Sequence, residues 1–313
     1  MDLLIQYTLV FTSVLTLVAL GGCFSEHSGV INIGLEGIMV IGALGGSLVL
    51  KYMSATAPAI WVVLATVGVA IAAGVIYSLL LGVASITFKA DQTLVGTAMN
   101  MLGVAAATVA VKSINIAESM GSNNSPKVIY SGVKDKLLMV PGTEYSWFLI
   151  FALVLLIASY IVLYKTKFGL RLQACGEHPQ AAASVGINVL KMRYAGVMIS
   201  GALGGLGGIV YITAGVSQWS FDVGVAGFGF LSLAVMIFGQ WKPVRIVLAA
   251  MLFGLFRALG SVYTGFEFLN NLNIPKSVYN MLPYIVSLIV LALTSKRSRA
   301  PKAEGIPYDK GMR

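Results

Sequence analysis

Uninterrupted apolar runs recur along most of the chain, and many are long enough to cross a lipid bilayer. A run of about 18 or more apolar residues indicates a transmembrane helix, because the hydrocarbon core is about 30 Å thick. Strands of an outer-membrane barrel would alternate apolar and polar residues, and these runs do not. Only 11% of the 313 residues are charged and 58% are hydrophobic, whereas soluble domains carry about 25% charged residues. The sequence therefore predicts an all-α, polytopic integral membrane protein.

The apolar runs divide the chain into about nine expected transmembrane helices, within a range of about eight to ten, and broken helices can occur among them. They form a single expected transmembrane domain over residues 1–294, followed by a basic, polar and mobile tail over 295–313. Residues 112–145 are the longest polar stretch and are assigned to an external loop. The expected spans fall near 3–22, 32–50, 58–82, 92–111, 146–164, 193–213, 223–240, 244–260 and 278–294.

The placement of Lys and Arg predicts the orientation, because cytoplasmic loops are enriched in both. If the loop 165–192 is cytoplasmic, the N-terminus lies outside and the C-terminus inside. Fourteen Lys and Arg residues then fall on the cytoplasmic side and six on the external side, while Arg257 lies uncounted within a span. The formal net charge of +9 is accordingly interpreted as a bias of membrane loops rather than as a sign of nucleic-acid binding.

Motifs for enzyme chemistry are missing from the sequence. The chain has no G-x-x-x-x-G-K-[ST] loop for nucleotide phosphates and no H-E-x-x-H pair for zinc. Its two histidines, His27 and His178, lie in expected loops, and Cys23 and Cys175 are too far apart in sequence to form a CxxC pair. We expect no catalytic residue, metal or other cofactor in this chain, and an intramembrane enzyme is poorly supported.

Polar side chains within the spans are candidates for a solute pathway, because a carboxylate at the bilayer centre costs about 3 kcal/mol or more unless a partner, water or solute compensates it. Asn32 and Glu36 are four residues apart, which would place them on one helix face. Glu36 could equally cap or brace a neighbouring helix. Asn100 lies deeper in the fourth span. Phe221 and Asp222 belong to an aromatic, glycine-rich segment that suits either contact with a sugar or base or an interfacial aromatic belt.

Glycines recur four residues apart within several spans, which places them on one helix face. Small faces allow helix backbones to approach closely, since lipid provides no hydrophobic drive for helix association. We therefore predict close helix packing at these positions, with helix sliding during transport as a functional alternative. The pairs are Gly42 and Gly46, Gly201 and Gly205, and Gly204 and Gly208.

The segment QACGEHPQAAASVGIN, residues 173–188, predicts a short helix between two spans. Pro179 suits the first turn of a helix, the alanines 181–183 favour its body, and Gly186 suits the left-handed position after its end. The helix should have about two turns. A solvated helix normally carries charge on its outer face, and this one offers Ala, Ser and Val. We expect it to dock into a groove of another protein, with packing against its own bundle as the alternative.

Four segments resemble, in the same order, bacterial ABC-importer permeases of the branched-chain amino acid, monosaccharide and nucleoside group. The resemblance covers nearly the whole chain except 112–145 and the tail, and it is strongest to the simple-sugar and nucleoside branch. It implies a non-catalytic permease in the bacterial cytoplasmic membrane. The segments are SGVINIGLEGIMVIGA, KADQTLVGTAMN, FGLRLQACGEHPQAAASVGINVLKMRYAGVMISGALGGLGG and VMIFGQWKPVRIVLAAMLFG.

The resemblance also implies partners and a role for the 173–188 loop. A cytoplasmic ATPase would bind ATP and Mg, a second permease, identical or homologous, would complete the pathway, and an extracytoplasmic substrate-binding protein or lipoprotein would deliver the solute. The loop matches the motif that contacts the ATPase, with His178 where Asn is more frequent. The matching residues are Gly176, Glu177, Pro179, Ala181, Ala182, Gly186 and Asn188.

The implied function is ATP-driven import of a small polar solute by alternating access, with a nucleoside expected before a simple sugar. Binding of ATP by the partner would move the 177–186 helix and reorient the transmembrane helices. The alternative is an ion-coupled secondary transporter or a channel that acts alone, motivated by Glu36 and Asp91 as ion-coupling carboxylates.

Overall fold

Helices make up most of the chain in a computed structural model, which describes residues 2–130, 147–213, 218–266, 275–294, 300–309 and 311. Two short strands, β1 (Lys127–Ile129) and β2 (Gln218–Ser220), pair antiparallel. The helices are α1 (Asp2–His27), α2 (Leu35–Tyr52), α3 (Ala59–Gly82), α4 (Gln92–Glu118), α5 (Trp147–Lys165), α6 (Lys167–Glu177), α7 (Pro179–Ser184), α8 (Val189–Thr213), α9 (Phe228–Phe238), α10 (Pro243–Val262) and α11 (Lys276–Thr294).

Seven helices in the described ranges are long and apolar enough to cross a membrane, namely α1 to α5, α8 and α10. The helix α3 continues into a π-helical turn, Val83–Thr87, and 3₁₀ turns follow β2 at Phe221–Val223 and α10 at Tyr263–Gly265. The apolar segments Phe228–Phe238 and Ser277–Ile289 are shorter. The prediction of a helical, multi-spanning membrane protein is confirmed by these seven helices.

The expected span over 223–240 is not one continuous helix. The helix α9 has 11 residues and rises only about 16 Å, about half of the hydrocarbon thickness. Gly224 and Gly227 have positive φ angles of 57° and 79°, which glycine adopts without steric strain. The chain therefore enters the bundle from β2 in irregular backbone and begins a helix there, so this span is a broken one.

The central helix of the bundle is α8. Within the most apolar 18-residue stretch of each helix, 78% of α8 is buried, against 22% in both α3 and α5. Glycine allows this central position: a Cβ atom on Gly74 of α3 would lie 2.9 Å from the Cα atom of Gly205, and one on Gly42 of α2 would lie closer still to Gly205. The prediction that glycines mediate close helix packing is confirmed here.

The two ends of the bundle are built differently. At the first end, β1 pairs with β2 through partners such as Val128 and Trp219, and Lys51 forms an ion pair with Glu118 at 2.7 Å. This end contains 118–130 of the expected external loop, and 131–146 lie outside the described residues. At the opposite end, which we call the α6–α7 end, α6 and α7 meet the end of α1, the start of α8 and residues 300–309.

Residues 300–309 are folded against the bundle, so the expectation of a mobile tail is wrong for them. The backbone N–H of Ala303 donates to the carbonyl of Gly176 at 2.8 Å. Nη1 of Arg193, at the start of α8, donates to the carbonyl of Ile306 at 2.9 Å. We call residues 300–309 the tail clasp, because they join α6 to α8.

Apolar and charged contacts complete the tail clasp. Tyr308 is buried and packs with Cys175 of α6. Asp309 pairs with Lys89, which precedes α4, at 2.7 Å, and this ion pair lowers the pKa of the Asp309 carboxyl. Residues 300–309 read APKAEGIPYD, and both Ala303 and Tyr308 are buried. These apolar side chains explain why this part of the tail is packed rather than solvated.

Candidate functional site

The 173–188 segment contains the predicted short helix, α7, and before it the end of α6, which the sequence does not predict. The helix α6 ends at Glu177, and α7 begins at Pro179, whose ring occupies the first helical position. Gly186 has a φ angle of 84°, the left-handed conformation expected after a helix end. The predicted proline start and glycine stop are confirmed, and α7 has 6 residues.

One face of α7 rests on its own chain. Pro179 and Ala182 are buried, and Ala182 packs in a cluster with Cys175, Val189 and Tyr308 of the tail clasp. Gly176 is also buried. A Cβ atom there would clash with the carbonyl of His27, so α6 and the end of α1 are in close contact at this position. These three motif residues therefore hold α6 and α7 against the bundle. On this face, α7 therefore packs against the helix bundle of its own chain, which is the alternative that the sequence leaves open.

The other face of α7 is open to solvent and has no formal charge. Val185, the residue that follows α7, is 75% exposed. We call this the docking face, and it consists of Gln180, Ala181, Ser184 and Val185. The remaining motif residues, Glu177, Gly186 and Asn188, are exposed beside it.

A pair of carboxyl groups lies beneath the tail clasp. Glu26 near the end of α1 is buried and accepts a hydrogen bond from Nε1 of Trp241. Glu304 of the tail clasp faces Glu26, and burial raises the pKa of the Glu304 carboxyl to about 7. Sequence analysis missed this pair, because the two residues are far apart in sequence and Glu304 lies in a polar tail.

Glu36 caps a helix inside the bundle. Its Oε1 accepts a hydrogen bond from the N–H of Gly227 at 2.9 Å, and its Oε2 accepts one from the N–H of Gly229 at 2.7 Å. The side chain is 7% exposed. The N–H groups of Gly227 and Gly229 lie at the N-terminus of α9. A helix N-terminus carries partial positive charge, which compensates the negative charge of the carboxylate. The structure thus gives Glu36 the bracing role that the sequence left open.

Asn32 does not share a helix face with Glu36, so that prediction is wrong. The helix α2 begins at Leu35, and Asn32 lies in the buried loop before it. Its Nδ2 donates to Oγ of Ser200 on α8 at 2.8 Å. Its buried Oδ1 has no hydrogen-bond partner within the described part of the chain.

Asn100 fastens α4 to the start of α2. Its Nδ2 donates to the carbonyl of Ile33 at 2.9 Å, and its Oδ1 accepts from the N–H of Gly37 at 2.8 Å. Asp91 has a similar local role, since it accepts from the N–H of Leu94 as the N-cap of α4. Both side chains therefore satisfy backbone groups near helix starts.

Phe221 and Asp222 lie in the segment between β2 and α9. Phe221 is fully buried, and its carbonyl accepts a hydrogen bond from Thr108 at 3.2 Å. Asp222 is exposed and accepts from Oγ of Ser220 at 2.6 Å. The structure brings Phe221 into the wall of the bundle but leaves Asp222 at its edge, apart from Glu36.

A group that sequence analysis does not select lies at the start of α9, the helix that Glu36 caps. Arg257 of α10 donates from Nη1 to Oδ1 of Asn280 on α11 at 2.9 Å. Its guanidinium carbon lies 5.4 Å from the ring centroid of Phe228, the first residue of α9. Arg257 lies within an expected span and therefore outside the count of loop charges, although an arginine inside a span is itself a signal of function.

Aromatic rings surround this arginine. The ring of Tyr211 lies 4.2 Å from that of Phe228 and 5.3 Å from that of Trp219, measured between centroids. The hydroxyl of Tyr284 donates to the carbonyl of Ala226 at 3.2 Å. We call Glu36, Tyr211, Phe228, Arg257, Asn280 and Tyr284 the intramembrane cluster.

The fold and the intramembrane cluster together define a class of protein. A helix that begins inside the membrane bundle, next to ionisable side chains, is typical of solute sites in membrane transporters. Charged groups at this depth mark substrate or ion pathways. The chain is accordingly a membrane transport protein.

Comparison with known proteins identifies the family. The chain belongs to the family described as branched-chain amino acid transport system / permease component, whose profile matches residues 4–291. The predicted family membership is thus confirmed, and the chain is a non-catalytic permease component of an ABC transporter.

Individual relatives match over their whole length. The chain is 40% identical to the guanosine ABC transporter permease protein NupQ of Bacillus subtilis, over 100% of this chain and 98% of the relative. It is 38% identical to the nucleoside ABC transporter permease protein NupC of Lactococcus lactis, over 99% of this chain and 98% of the relative. A solved metal-chelate type ABC transporter in an inward-facing conformation has a similar fold, with a TM-score of 0.51 and 17% identity over 93% of this chain and 85% of that chain.

Proposed function

We propose that this chain is the permease subunit of an ABC importer that moves nucleosides into the bacterial cytoplasm. The observation that carries the proposal is the full-length similarity to two permeases described as guanosine and nucleoside transporters. The intramembrane cluster supports it, because donors, acceptors and aromatic rings suit a solute with a flat base and polar edges.

The α6–α7 end faces the cytoplasm in this proposal, with the N-terminus outside and the C-terminus inside the cell. Basic residues support that orientation, since Lys89, Lys165, Arg171 and Arg245 lie in or beside segments at this end. Residues 1–294 act as one transmembrane domain with nine spans, in which α9 and α11 add to the seven long helices. Residues 295–313 form a cytoplasmic tail of which the tail clasp is the packed part.

The docking face provides the contact with a cytoplasmic ATPase, which holds ATP and Mg. An uncharged face with a protruding Val185 suits a groove in a partner, because its burial removes apolar area from water without stranding a charge. A second permease subunit completes the pathway, and an extracytoplasmic substrate-binding protein delivers the nucleoside.

The solute pathway runs past the start of α9. Of the five residues that the sequence suggests, Asn32 retains an unpartnered acceptor and Glu36 orients α9, so we assign these two to the pathway. Asn100 and Phe221 support its wall. Asp222 lies at its outer edge, where the solute enters.

Ala181→Asp tests the docking face, because it places a charge on an exposed residue without disturbing the buried face of α7. The measurement is ATP-dependent uptake of radiolabelled guanosine by cells that carry the complete importer, together with recovery of the ATPase in pull-down. We expect uptake and ATPase recovery to fall at least tenfold while membrane insertion persists, since a buried unpaired charge at an interface costs about 2–5 kcal/mol.

The matched control is Ala117→Asp, the same substitution at an exposed position of α4 at the opposite end. It should leave ATPase recovery unchanged. Full uptake by Ala181→Asp, with the ATPase still bound, would contradict the docking face. Failure of the unmodified importer to take up any nucleoside would contradict the proposed solute.

The ion-coupled alternative has lost its structural motivation. Glu36 accepts two backbone hydrogen bonds, and Asp91 accepts one as a helix cap. Both carboxylates therefore have a structural role at a helix start, which accounts for their presence without a coupling ion. Uptake that persists in cells without the ATPase gene and disappears when the proton gradient is removed would restore this alternative.

A further inference from the structure

The intramembrane cluster contains an arginine whose hydrogen-bonding capacity is only partly used. Among the residues that the structure describes, Arg257 has no carboxylate partner, since the ion pairs there join Lys51 with Glu118 and Lys89 with Asp309. Its Nη1 bonds to Asn280, while its buried Nε has no hydrogen-bond partner. A guanidinium has five N–H donors, and donors thus remain for another group.

The carboxylate of the intramembrane cluster is already engaged. Both oxygens of Glu36 accept backbone N–H groups of the α9 start. Arg257 also interacts with the hydroxyl of Tyr211. Since Nη1 is bonded to Asn280 and Nε has no partner within the described residues, part of the guanidinium fork is left available to a ligand.

Flat aromatic surfaces adjoin the arginine, and the site borders an open surface. Arg257 lies over Phe228, whose ring neighbours that of Tyr211. Phe230, two residues further along α9, is 49% exposed, and Met281 of α11, the residue after Asn280, is 54% exposed. Within the described part of the chain, exposed side chains thus adjoin the cluster, and the proposed pathway passes them.

We propose that Arg257, oriented by Asn280, binds the base of a 6-oxopurine nucleoside such as guanosine or inosine during passage. The guanidinium fork matches the O6 and N7 acceptors of such a purine, whereas adenine presents an N6 donor at the same edge. Stacking on aromatic rings contributes without regard to base identity. This inference rests on the proposed function and specifies which part of the solute is recognised.

The test is Arg257→Lys in the complete importer, with uptake of inosine and adenosine measured over a range of concentrations. Lysine keeps the charge but loses the planar fork. The substrate-binding protein is unchanged, so any change in the ratio of kcat/KM values for the two nucleosides belongs to the permease. We expect the ratio of inosine to adenosine to fall about tenfold, mainly through KM for inosine, and Asn280→Ala to shift it in the same direction.

Arg245→Lys is the matched control, because Arg245 lies on the same helix, is exposed and bonds to Gln240. It should keep the ratio of the unmodified importer. An unchanged ratio in Arg257→Lys, or an equal loss for both nucleosides together with a lower Tm of the purified permease, would overturn the inference. In that case wild-type uptake of nucleosides would still support the proposed function, whereas its absence would overturn both.

Discussion

The contact between α3 and α8 depends on the absence of one side chain at Gly74. A Cβ atom there would lie 2.9 Å from Cα of Gly205 and closer to the carbonyl oxygen of Gly201. Carbon atoms in favourable contact are about 3.5–4.0 Å apart, so Gly74→Ala requires the two helices to separate locally by about 1 Å. The obstructing atoms belong to the backbone, and no rotamer change can relieve them.

The matched substitution is Gly68→Ala on the same helix, where a Cβ atom would meet nothing within 4 Å. Alanine in place of glycine in a helix interior stabilises by about 0.5–1 kcal/mol, and both variants receive this gain. Overpacking at Gly74 costs about 1–3 kcal/mol. We therefore expect Gly68→Ala to be slightly more stable than the wild type, and Gly74→Ala to be about 1–3 kcal/mol less stable than Gly68→Ala.

Thermal unfolding of the purified chain in detergent measures the difference. At about 2–4 °C per kcal/mol, the slope for large domains, the Tm of Gly74→Ala should lie roughly 2–12 °C below that of Gly68→Ala. The comparison removes the intrinsic helix propensity, which is the same for both. A Tm for Gly74→Ala that equals or exceeds that of Gly68→Ala would refute the close packing of α3 on α8.

Two further predictions concern buried carboxyl groups. Glu36→Gln leaves a single amide oxygen for the N–H groups at the start of α9, so we expect thermal unfolding to show a loss of about 1–3 kcal/mol of stability. The control Glu118→Gln, at the exposed end, should leave Tm nearly unchanged. Equal Tm values for the two variants would contradict the capping role of Glu36. Burial raises the pKa of Glu304 from its ordinary 4.5 to about 7, so its contribution to the tail clasp is full below pH 4.5 and is lost as pH rises through about 7. In a Cys23→Ala background, the rate of maleimide labelling of buried Cys175 should therefore rise between about pH 6 and about pH 8. The rise should be larger than in the same protein with Glu304→Gln, in which only the titration of the thiol itself changes the rate. Identical pH profiles of the two proteins would exclude this role of Glu304.

The long spans were predictable because each apolar run satisfies its own backbone as a helix, whatever surrounds it. The segment before α9 was not predictable to the same degree. Its apolar composition matches that of a full span, and the break depends on the positive φ angles of Gly224 and Gly227 and on a carboxylate from α2. A distant side chain that caps the helix leaves no periodic signal in the local sequence.

The candidate site likewise has features that depend on local sequence and features that depend on distant contacts. Pro179 and Gly186 have local conformational preferences, and their positions followed from the sequence. Asn32 was misplaced because helix starts are the least certain boundaries, and a shift of three residues moved it off α2. The tail clasp and the Glu26 and Glu304 pair depend on contacts between segments far apart in sequence, which a single sequence does not encode in any visible pattern.

The helix α8 connects the two parts of the candidate site. Near its start, Arg193 holds the tail clasp through Ile306, and near its end Tyr211 packs on Phe228 in the intramembrane cluster. Between them, Gly205 is in backbone contact with α2 and α3, so this part of the helix has little room to bend or to absorb a displacement by side-chain rearrangement. A push on the docking face that shifts the start of α8 would therefore reach the α9 start as a movement of the whole helix, and the polar groups that we propose for the solute pathway would move with it.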